Sequence, residues 1–204
     1  DGLITRQITI KLDKAGTLPH MISESKKYLI TNLKIVGEVN GTDWLFIREM
    51  AGSDLHGDKT DGKLSILDLS DAKIVEGGSY YNNYYYCTFN DRLGDYAFYG
   101  CSGLTSLTIP SSVTSIGDYA FEGCSGLNSI YAYPEKLPKL GTGVFYRCDA
   151  KNCTVYVPIG TFGDYWLSEF GYFENIVEFD ATGIDKVTTS TDAKELSRYS
   201  VNGQ

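Results

Sequence analysis

The residues most suited to specific contacts are tyrosines in the segment GGSYYNNYYYCTFNDR, residues 77–92. Five fall within seven positions: Tyr80, Tyr81, Tyr84, Tyr85 and Tyr86. Tyrosine rings give rigid contact area at low entropic cost, and a Tyr/Asn/Gly/Ser surface is typical of antibody binding loops. The same rings can instead fold back over a core edge, whereas disorder is disfavoured by the aromatic content. We expect most of these rings to pack and one or two to stay accessible.

Metal binding would need histidines, cysteines or acids at ligand spacing. The chain has two histidines, His20 and His56, which are too few for a His-based cluster. His56 lies near Asp54, Asp58 and Asp61 in the sequence, and three acids so close together suggest a calcium site. The spacing does not fit an EF-hand loop, so we expect a solvated turn here and no metal site.

Five cysteines leave at least one thiol unpaired in any monomer, because the number is odd. Cys101, Cys124 and Cys148 recur at similar spacing, and no C-x-x-C motif is present. Buried cysteine behaves as a small hydrophobe, so we expect these three to be core thiols. A disulfide between Cys148 and Cys153 is the alternative that their proximity in sequence allows.

Catalytic signatures are missing from the sequence. It has no G-x-S-x-G nucleophile elbow and no glycine-rich phosphate loop before a helix. The acids Asp68 and Asp71 are more simply read as strand-edge and turn residues. We therefore expect no catalytic residue and no cofactor.

Composition narrows the classes of partner. The 204 residues carry a net charge of −8, and 42% of them are hydrophobic, enough for a real core. An acidic chain does not suit the phosphate backbone of nucleic acid or anionic lipid headgroups. No apolar run reaches the roughly 18 residues of a membrane span. We expect a monomer that neither binds nucleic acid nor inserts into a membrane.

An internal repeat organises the chain. Residues 93–107, LGDYAFYGCSGLTSL, match residues 116–130, IGDYAFEGCSGLNSI, at eleven of fifteen positions. A weaker third copy begins at Leu140. Self-similarity at a period of about 20 to 50 residues is the mark of a solenoid.

Each copy predicts a short helical turn followed by a short strand. Asp95 stands at an N-cap position, and Ala97, Phe98 and Cys101 share one face of the turn. Gly103 suits the left-handed residue that ends it. Phe121 and Phe145 occupy the place of Phe98 in the later copies, which predicts a stacked aromatic column.

The strand of the first copy follows directly. Leu107 and Ile109 alternate inward, Ser106 and Thr108 point outward, and Pro110 ends the strand. Similar spacing recurs upstream over residues 64–69 and more loosely over residues 30–35. Some five turns result.

Between those upstream strands lies GTDWLFIREMAG. There, Thr42 or Asp43 can cap a helix that buries Phe46, Ile47 and Met50.

The motifs IGDYAFEGCSGL and LTIPSSVTSIG resemble the BspA-type leucine-rich repeats of bacterial surface proteins, strongly over residues 93–158 and loosely over residues 29–75. The resemblance implies a right-handed leucine-rich-repeat solenoid with short strands and short helical turns, closed by N- and C-terminal caps. It also implies export to the cell surface and a role in adhesion or host-protein binding. It supplies no catalytic residues.

The predicted organisation has four parts. They are an N-terminal strand and helix cap (1–28), the repeats (29–158) with the Tyr-rich insertion (77–92), a C-terminal cap (159–180), and a linker with the start of a sorting segment (181–204). The insertion is about seventeen residues long, because Leu64 and Leu93 are 29 residues apart whereas Leu104 and Ile116 are 12 apart. The chain opens at Asp1 without methionine, so we expect that a targeting segment has been removed.

Three further tyrosines, Tyr131, Tyr133 and Tyr156, fall at outward strand positions and can line a sugar or protein site. The leading hypothesis is a non-enzymatic cell-surface or extracellular module that binds a protein or glycan, including host molecules, through its strand face and Tyr-rich loop. The alternative is a spacer domain of a larger surface protein with no ligand of its own.

Overall fold

The computed structural model describes residues 2–182, which are built around two parallel sheets. The larger sheet has seven strands in chain order: β1 (Ile8–Lys11), β2 (Asn32–Val39), β3 (Ile66–Ile74), β5 (Ser106–Ile109), β7 (Ser129–Ala132), β9 (Thr154–Pro158) and β10 (Asn175–Phe179). The smaller sheet has three strands: β4 (Arg92–Leu93), β6 (Ser115–Ile116) and β8 (Lys139–Leu140). Every strand pairing is parallel, as a solenoid requires.

The helices are short and lie between strands. They are α1 (Leu18–Met21), α2 (Glu24–Lys27), α3 (Gly41–Met50), α4 (Phe162–Trp166) and a 3-10 helix (Glu169–Tyr172). Two parallel sheets with few helices fit the predicted repeat solenoid. Its handedness and the count of five turns stay predictions.

The strand alternation predicted for the repeats is confirmed. Leu107 and Ile109 are buried, whereas Ser106 and Thr108 are half-buried on the opposite face. Strand register extends the inward row across the sheet, through Leu33, Leu67, Leu107, Ile130 and Val155. All five of these side chains are fully buried. This row forms one side of the core.

The other side of the core is the predicted phenylalanine column, which is confirmed. Phe98 stacks on Phe121 with ring centroids 5.7 Å apart, and Phe121 on Phe145 at 5.4 Å. The cysteines make equivalent contacts in successive turns. The Cys124 thiol donates to the Phe98 carbonyl over 3.1 Å, and the Cys148 thiol donates to the Phe121 carbonyl over 3.2 Å. Burial raises the pKa of Cys124 well above its ordinary value and that of Cys148 to about 12. These are core thiols.

All five cysteines are free, so the alternative disulfide between Cys148 and Cys153 is not formed.

The connection before each repeat strand differs from the prediction. Residues 95–100 form hydrogen-bonded turns and no helix. Asp95 does not cap its own turn, because its Oδ1 atom accepts the Asp118 N–H of the next turn over 2.7 Å. Gly103 is not left-handed; the left-handed residues are Tyr96 at φ 57° and Gly100 at φ 74°. The predicted cap and terminator were therefore wrong, because contacts between turns determine this segment.

Helix α3 is capped two residues before Thr42, the nearer of the two predicted caps. Its N-cap is Asn40, whose Oδ1 accepts the Thr42 N–H over 3.0 Å, while Asp43 Oδ2 accepts the Asn40 N–H over 2.9 Å. These two bonds form a capping box, which satisfies N–H groups that the helix leaves free. The predicted burial of Phe46, Ile47 and Met50 is confirmed.

The chain beyond the third repeat continues the main sheet. Strand β10 lies within the segment predicted as the C-terminal cap and pairs with β9. Phe170 and Phe173 then contact Phe145, each with ring centroids 4.8 Å apart, and so cover the end of the phenylalanine column. Most of the predicted sorting segment (181–204) lies outside the described residues.

Candidate binding surface

The insertion divides its five tyrosines into two groups. Tyr81 is fully buried and Tyr86 is half-buried, whereas Tyr80, Tyr84 and Tyr85 are 51%, 75% and 72% exposed. Packing of part of the segment was predicted, but three rings stay accessible where one or two were expected. The insertion is therefore an anchored loop with an aromatic outer surface.

Tyr81 is anchored by a hydrogen bond that the repeat itself explains. In the second and third turns, backbone carbonyls accept N–H groups of the preceding turn; Phe98 donates to Ala120 over 2.7 Å and Phe121 to Val144 over 2.9 Å. The first turn has no earlier repeat turn of this kind beside it. The Tyr81 hydroxyl takes that place and donates to the Asp95 carbonyl over 2.5 Å.

Helix α3 supplies two more side-chain donors to the same edge. Trp44 Nε1 donates to the Ala97 carbonyl over 2.9 Å. Arg48, which is 1% exposed, donates from Nη1 to the carbonyls of Tyr96 and Ala97 over 2.8 and 3.1 Å. Buried polar groups without partners cost stability, so these side chains close the open end of the repeat stack.

Sequence reasoning missed this role of Trp44 and Arg48. Their i, i+4 spacing, which puts an indole and a guanidinium on one face of the helix, was the available signal.

The tip of the insertion is a defined turn. Asn82 Oδ1 accepts the Tyr84 N–H over 2.8 Å, and the Asn82 carbonyl accepts the Tyr85 N–H over 3.1 Å. The Asn83 N–H donates to the Leu55 carbonyl over 2.9 Å, which fixes the tip to the neighbouring loop. The exposed rings therefore project from a hydrogen-bonded backbone.

A ladder of stacked tyrosines connects the insertion to the repeats. Tyr86 lies 6.4 Å from Tyr81 and 5.6 Å from Tyr96, between ring centroids, and Tyr96 lies 5.4 Å from Tyr119. The ladder ends at Gly143, where an added Cβ would collide with the Tyr119 ring. Tyr96 and Tyr119 stand at equivalent repeat positions, which was the sequence signal for this feature.

The predicted strand-face tyrosines are mostly covered. Tyr131 and Tyr156 stack with centroids 4.5 Å apart, and Phe179 contacts Tyr133 edge-on at 5.3 Å. Tyr133 and Tyr156 are only 7% and 3% exposed, and burial raises the pKa of Tyr133 to about 12. The expected exposure was therefore wrong for these two, because Phe179 of β10 packs on the outward side of the sheet. Tyr131 alone is half-buried.

A family model for the BspA type leucine rich repeat region matches residues 91–199 in six copies. The chain belongs to this family. Repeats of this type are commonly surface-associated protein-interaction modules, and the family is generally a non-enzymatic scaffold. The looser upstream resemblance over residues 29–75 lies outside the matched region. A search of curated proteins found no similar sequence.

In this BspA-type chain, the segment around His56 that carries Asp54 and Asp58 is a hydrogen-bonded turn. Asp54 Oδ1 accepts the backbone N–H groups of His56 and Asp58, each over 2.8 Å. Within residues 2–182, no three His, Cys, Asp or Glu side chains converge on a position where a metal ion could bind. Over the same range, no helix is both long and apolar enough to span a bilayer.

Proposed function

We propose that this BspA-type chain is a non-enzymatic binding module of the bacterial cell surface, with Tyr80, Tyr84 and Tyr85 as its contact surface for a protein or glycan. The observation that carries the proposal is the division of the insertion into anchored and exposed rings. Tyr81 holds one side of the loop on the repeat stack, and the three outer rings are left without a core to cover.

Pre-organisation is the physical reason for choosing this loop. A partner gains most from side chains that lose little freedom on binding, and tyrosine has few rotatable bonds. Tyr80 and Tyr85 already contact each other edge-on, with centroids 5.1 Å apart. The surface therefore needs little ordering before it contacts a partner.

The net charge and the family both narrow the class of partner. The net charge of −8 disfavours nucleic acid and anionic membranes as partners. Surface association and protein interaction are common among BspA-type repeats.

The test compares three purified proteins on arrays of extracellular-matrix proteins and glycans. They are the wild type, a variant with Tyr80, Tyr84 and Tyr85 changed to Ser, and a control with Tyr146 and Leu167 changed to Ser. The control side chains are 55% and 87% exposed and lie outside the insertion. We expect saturable binding by the wild type and the control, and at least a tenfold loss in the loop variant, because interface energy concentrates in a few aromatic residues.

Two results would overturn the proposal. Equal binding by the loop variant and the wild type to every array member would move the contact surface elsewhere. Failure of the wild type to bind any member of either array would leave a spacer domain as the better account.

A further inference from the structure

A groove runs beside the insertion across the smaller sheet. It has a volume of about 290 Å³ and is lined by side chains from the insertion and from all three strands, β4, β6 and β8. Its wall at the insertion end is aromatic, formed by Tyr86 and by Phe89, which is 48% exposed. The three exposed loop tyrosines do not line it, so the groove is a separate surface.

One row of the groove carries two cationic donors with a hydroxyl between them. Arg92, Ser115 and Lys139 are aligned by strand register, one on each strand. Arg92 Nε donates to the Ser115 hydroxyl over 3.1 Å, and its guanidinium lies 5.6 Å from the Phe89 ring centroid. Within the described part of the chain, neither Arg92 nor Lys139 forms an ion pair. Adjacent strands are roughly 4.8 Å apart, so this row offers polar groups at that interval.

A second row repeats hydrogen-bond acceptors. Asp95 Oδ1 accepts the Asp118 N–H over 2.7 Å, and Asp118 Oδ1 accepts the Thr142 N–H over 2.8 Å. Each carboxylate thus accepts a hydrogen bond from the neighbouring turn through one oxygen. A carboxylate has acceptor sites on both of its oxygens. Of these two acids, Asp95 lines the groove. Two cationic donors and one carboxylate therefore border the same channel.

We propose that this groove binds a linear, uncharged oligosaccharide lying along the solenoid axis, with one sugar ring for each repeat turn. Sugar hydroxyls both donate and accept, so they match a channel that offers the Arg92 and Lys139 donors, the Asp95 acceptor and the Ser115 hydroxyl. The exposed ring of Phe89 offers a flat apolar surface to the face of a terminal sugar ring. An extended pyranose chain advances per ring by a distance similar to the spacing between neighbouring strands.

The same features argue against two other occupants. A polyanion would meet the Asp95 carboxylate as well as the two cations, and like charges repel. An extended peptide that added as a strand would need a free sheet edge along the groove. The groove runs across the strands, and β6 is paired on both sides.

The test titrates the whole chain by calorimetry with neutral oligosaccharides of glucose, xylose, mannose and N-acetylglucosamine, each β-1,4-linked and one to six rings long. With at least one of these sugars, we expect affinity to rise about tenfold with each of the second and third rings and to level off beyond them, because three turns border the groove. A tetramer of galacturonate and an Asp/Glu-rich peptide serve as charged probes and are expected to bind at least tenfold more weakly.

Two variants locate the site. Ser115→Trp fills the channel at its middle strand, and Phe89→Ala removes the aromatic wall; each is expected to weaken the best neutral hexamer at least tenfold. The matched control is the triple loop variant at Tyr80, Tyr84 and Tyr85, which is expected to bind the hexamer like the wild type. Phe89 is half-exposed, so its variant reports on binding even if Ser115→Trp does not fold.

The proposal is overturned if no neutral hexamer binds, if a charged probe binds more tightly, or if Phe89→Ala leaves hexamer binding unchanged. Loss of hexamer binding in the triple loop variant alone would also overturn it, by assigning the sugar to the loop. Array members that bind the wild type but not the triple loop variant report on the loop, and neutral glycans that bind both proteins report on the groove. The two proposals can therefore fail independently.

Discussion

The repeat turns over residues 93–148 and the insertion over residues 77–92 are both rich in aromatic rings, yet they satisfy their backbones in different ways. A repeat turn gives its N–H groups to an equivalent neighbour, as Phe98 does to Ala120. The insertion has no equivalent neighbour, and side chains supply the hydrogen-bond donors there. The Tyr81 hydroxyl donates to Asp95, where an N–H would stand in a longer stack.

A repeat array therefore ends differently from the way it continues. Within the array, the same contact recurs in each turn, so a single copy shows which groups pair in the others. At the end of the array, the carbonyl row still needs donors, and three unrelated side chains supply them: Tyr81, Trp44 and Arg48. A change in the array should therefore act through packing, and a change at its end through a lost hydrogen bond.

The largest expected effect is on the array. Phe121→Ala removes a fully buried ring from between Phe98 and Phe145, and we expect the free energy of unfolding to fall by about 3 to 5 kcal/mol, because a large-to-small change leaves a cavity. Urea denaturation measures the change. Tyr146→Ala is the control, because Tyr146 is 55% exposed and should cost little. An unchanged midpoint for Phe121→Ala would mean that the column is not part of the core.

Loss of a single hydroxyl oxygen at the end of the array should lower the stability of the fold. Tyr81→Phe keeps the ring but leaves the Asp95 carbonyl without its donor, so we expect unfolding free energy to fall by about 1 to 3 kcal/mol. Tyr84→Phe is the matched control in the same loop, because Tyr84 is 75% exposed. Equal midpoints for the two variants would show that the hydroxyl does not close the stack.

The cysteine column should make the array sensitive to alkaline pH. Burial holds the pKa of Cys124 well above the ordinary thiol value of 9.0, so the folded protein keeps this thiol neutral while the unfolded chain ionises it. The stabilisation is complete below pH 9 and is lost as the pH rises toward the folded pKa. Between pH 8 and pH 10, the wild type should lose about 1 kcal/mol more stability than Cys124→Ala, which lacks the titrating group.

Denaturation at the two pH values measures that difference. Parallel losses in the wild type and Cys124→Ala would contradict the burial of the thiol. Labelling with iodoacetamide in native buffer gives a second reading, because neutral buried thiols react slowly.

The smallest expected effect is a gain. Arg147 adopts a left-handed backbone at φ 67°, where the earlier repeats have Gly100 and Gly123. A side chain in this region costs roughly 1 to 2 kcal/mol, part of which is offset by the greater freedom of glycine in the unfolded chain. Arg147→Gly should therefore raise the unfolding free energy by about 0.5 to 1 kcal/mol in thermal or urea unfolding. Gly123→Arg is the reciprocal variant and should lower it.

Prediction from sequence worked where one copy repeats another. Inward Leu107 and Ile109, the stacked phenylalanines and the buried thiols all followed from the columns of the alignment between copies. It failed inside the same copies at Asp95 and Gly103. Local rules made one a helix cap and the other a helix terminator, but the partner of Asp95 lies in the next turn.

The site was less predictable than the fold. Sequence identified the insertion and its five tyrosines, but nothing in the segment itself separates Tyr81 from Tyr84. The Asp95 carbonyl and the Tyr86 ring, both of which contact Tyr81, distinguish them. Likewise, outward strand positions predicted exposure for Tyr133 and Tyr156, and the contact with Phe179 from a later strand reversed it.

The period, the inward faces of the strands and the family of the repeats could be predicted from the sequence, because each depends on residue types at fixed spacing. The folded chain was needed to show which tyrosines anchor and which are exposed, which acids join neighbouring turns, and where a groove forms across the strands. These outcomes depend on contacts between residues far apart in the chain, and one-dimensional spacing carries no information about them until the turns are stacked.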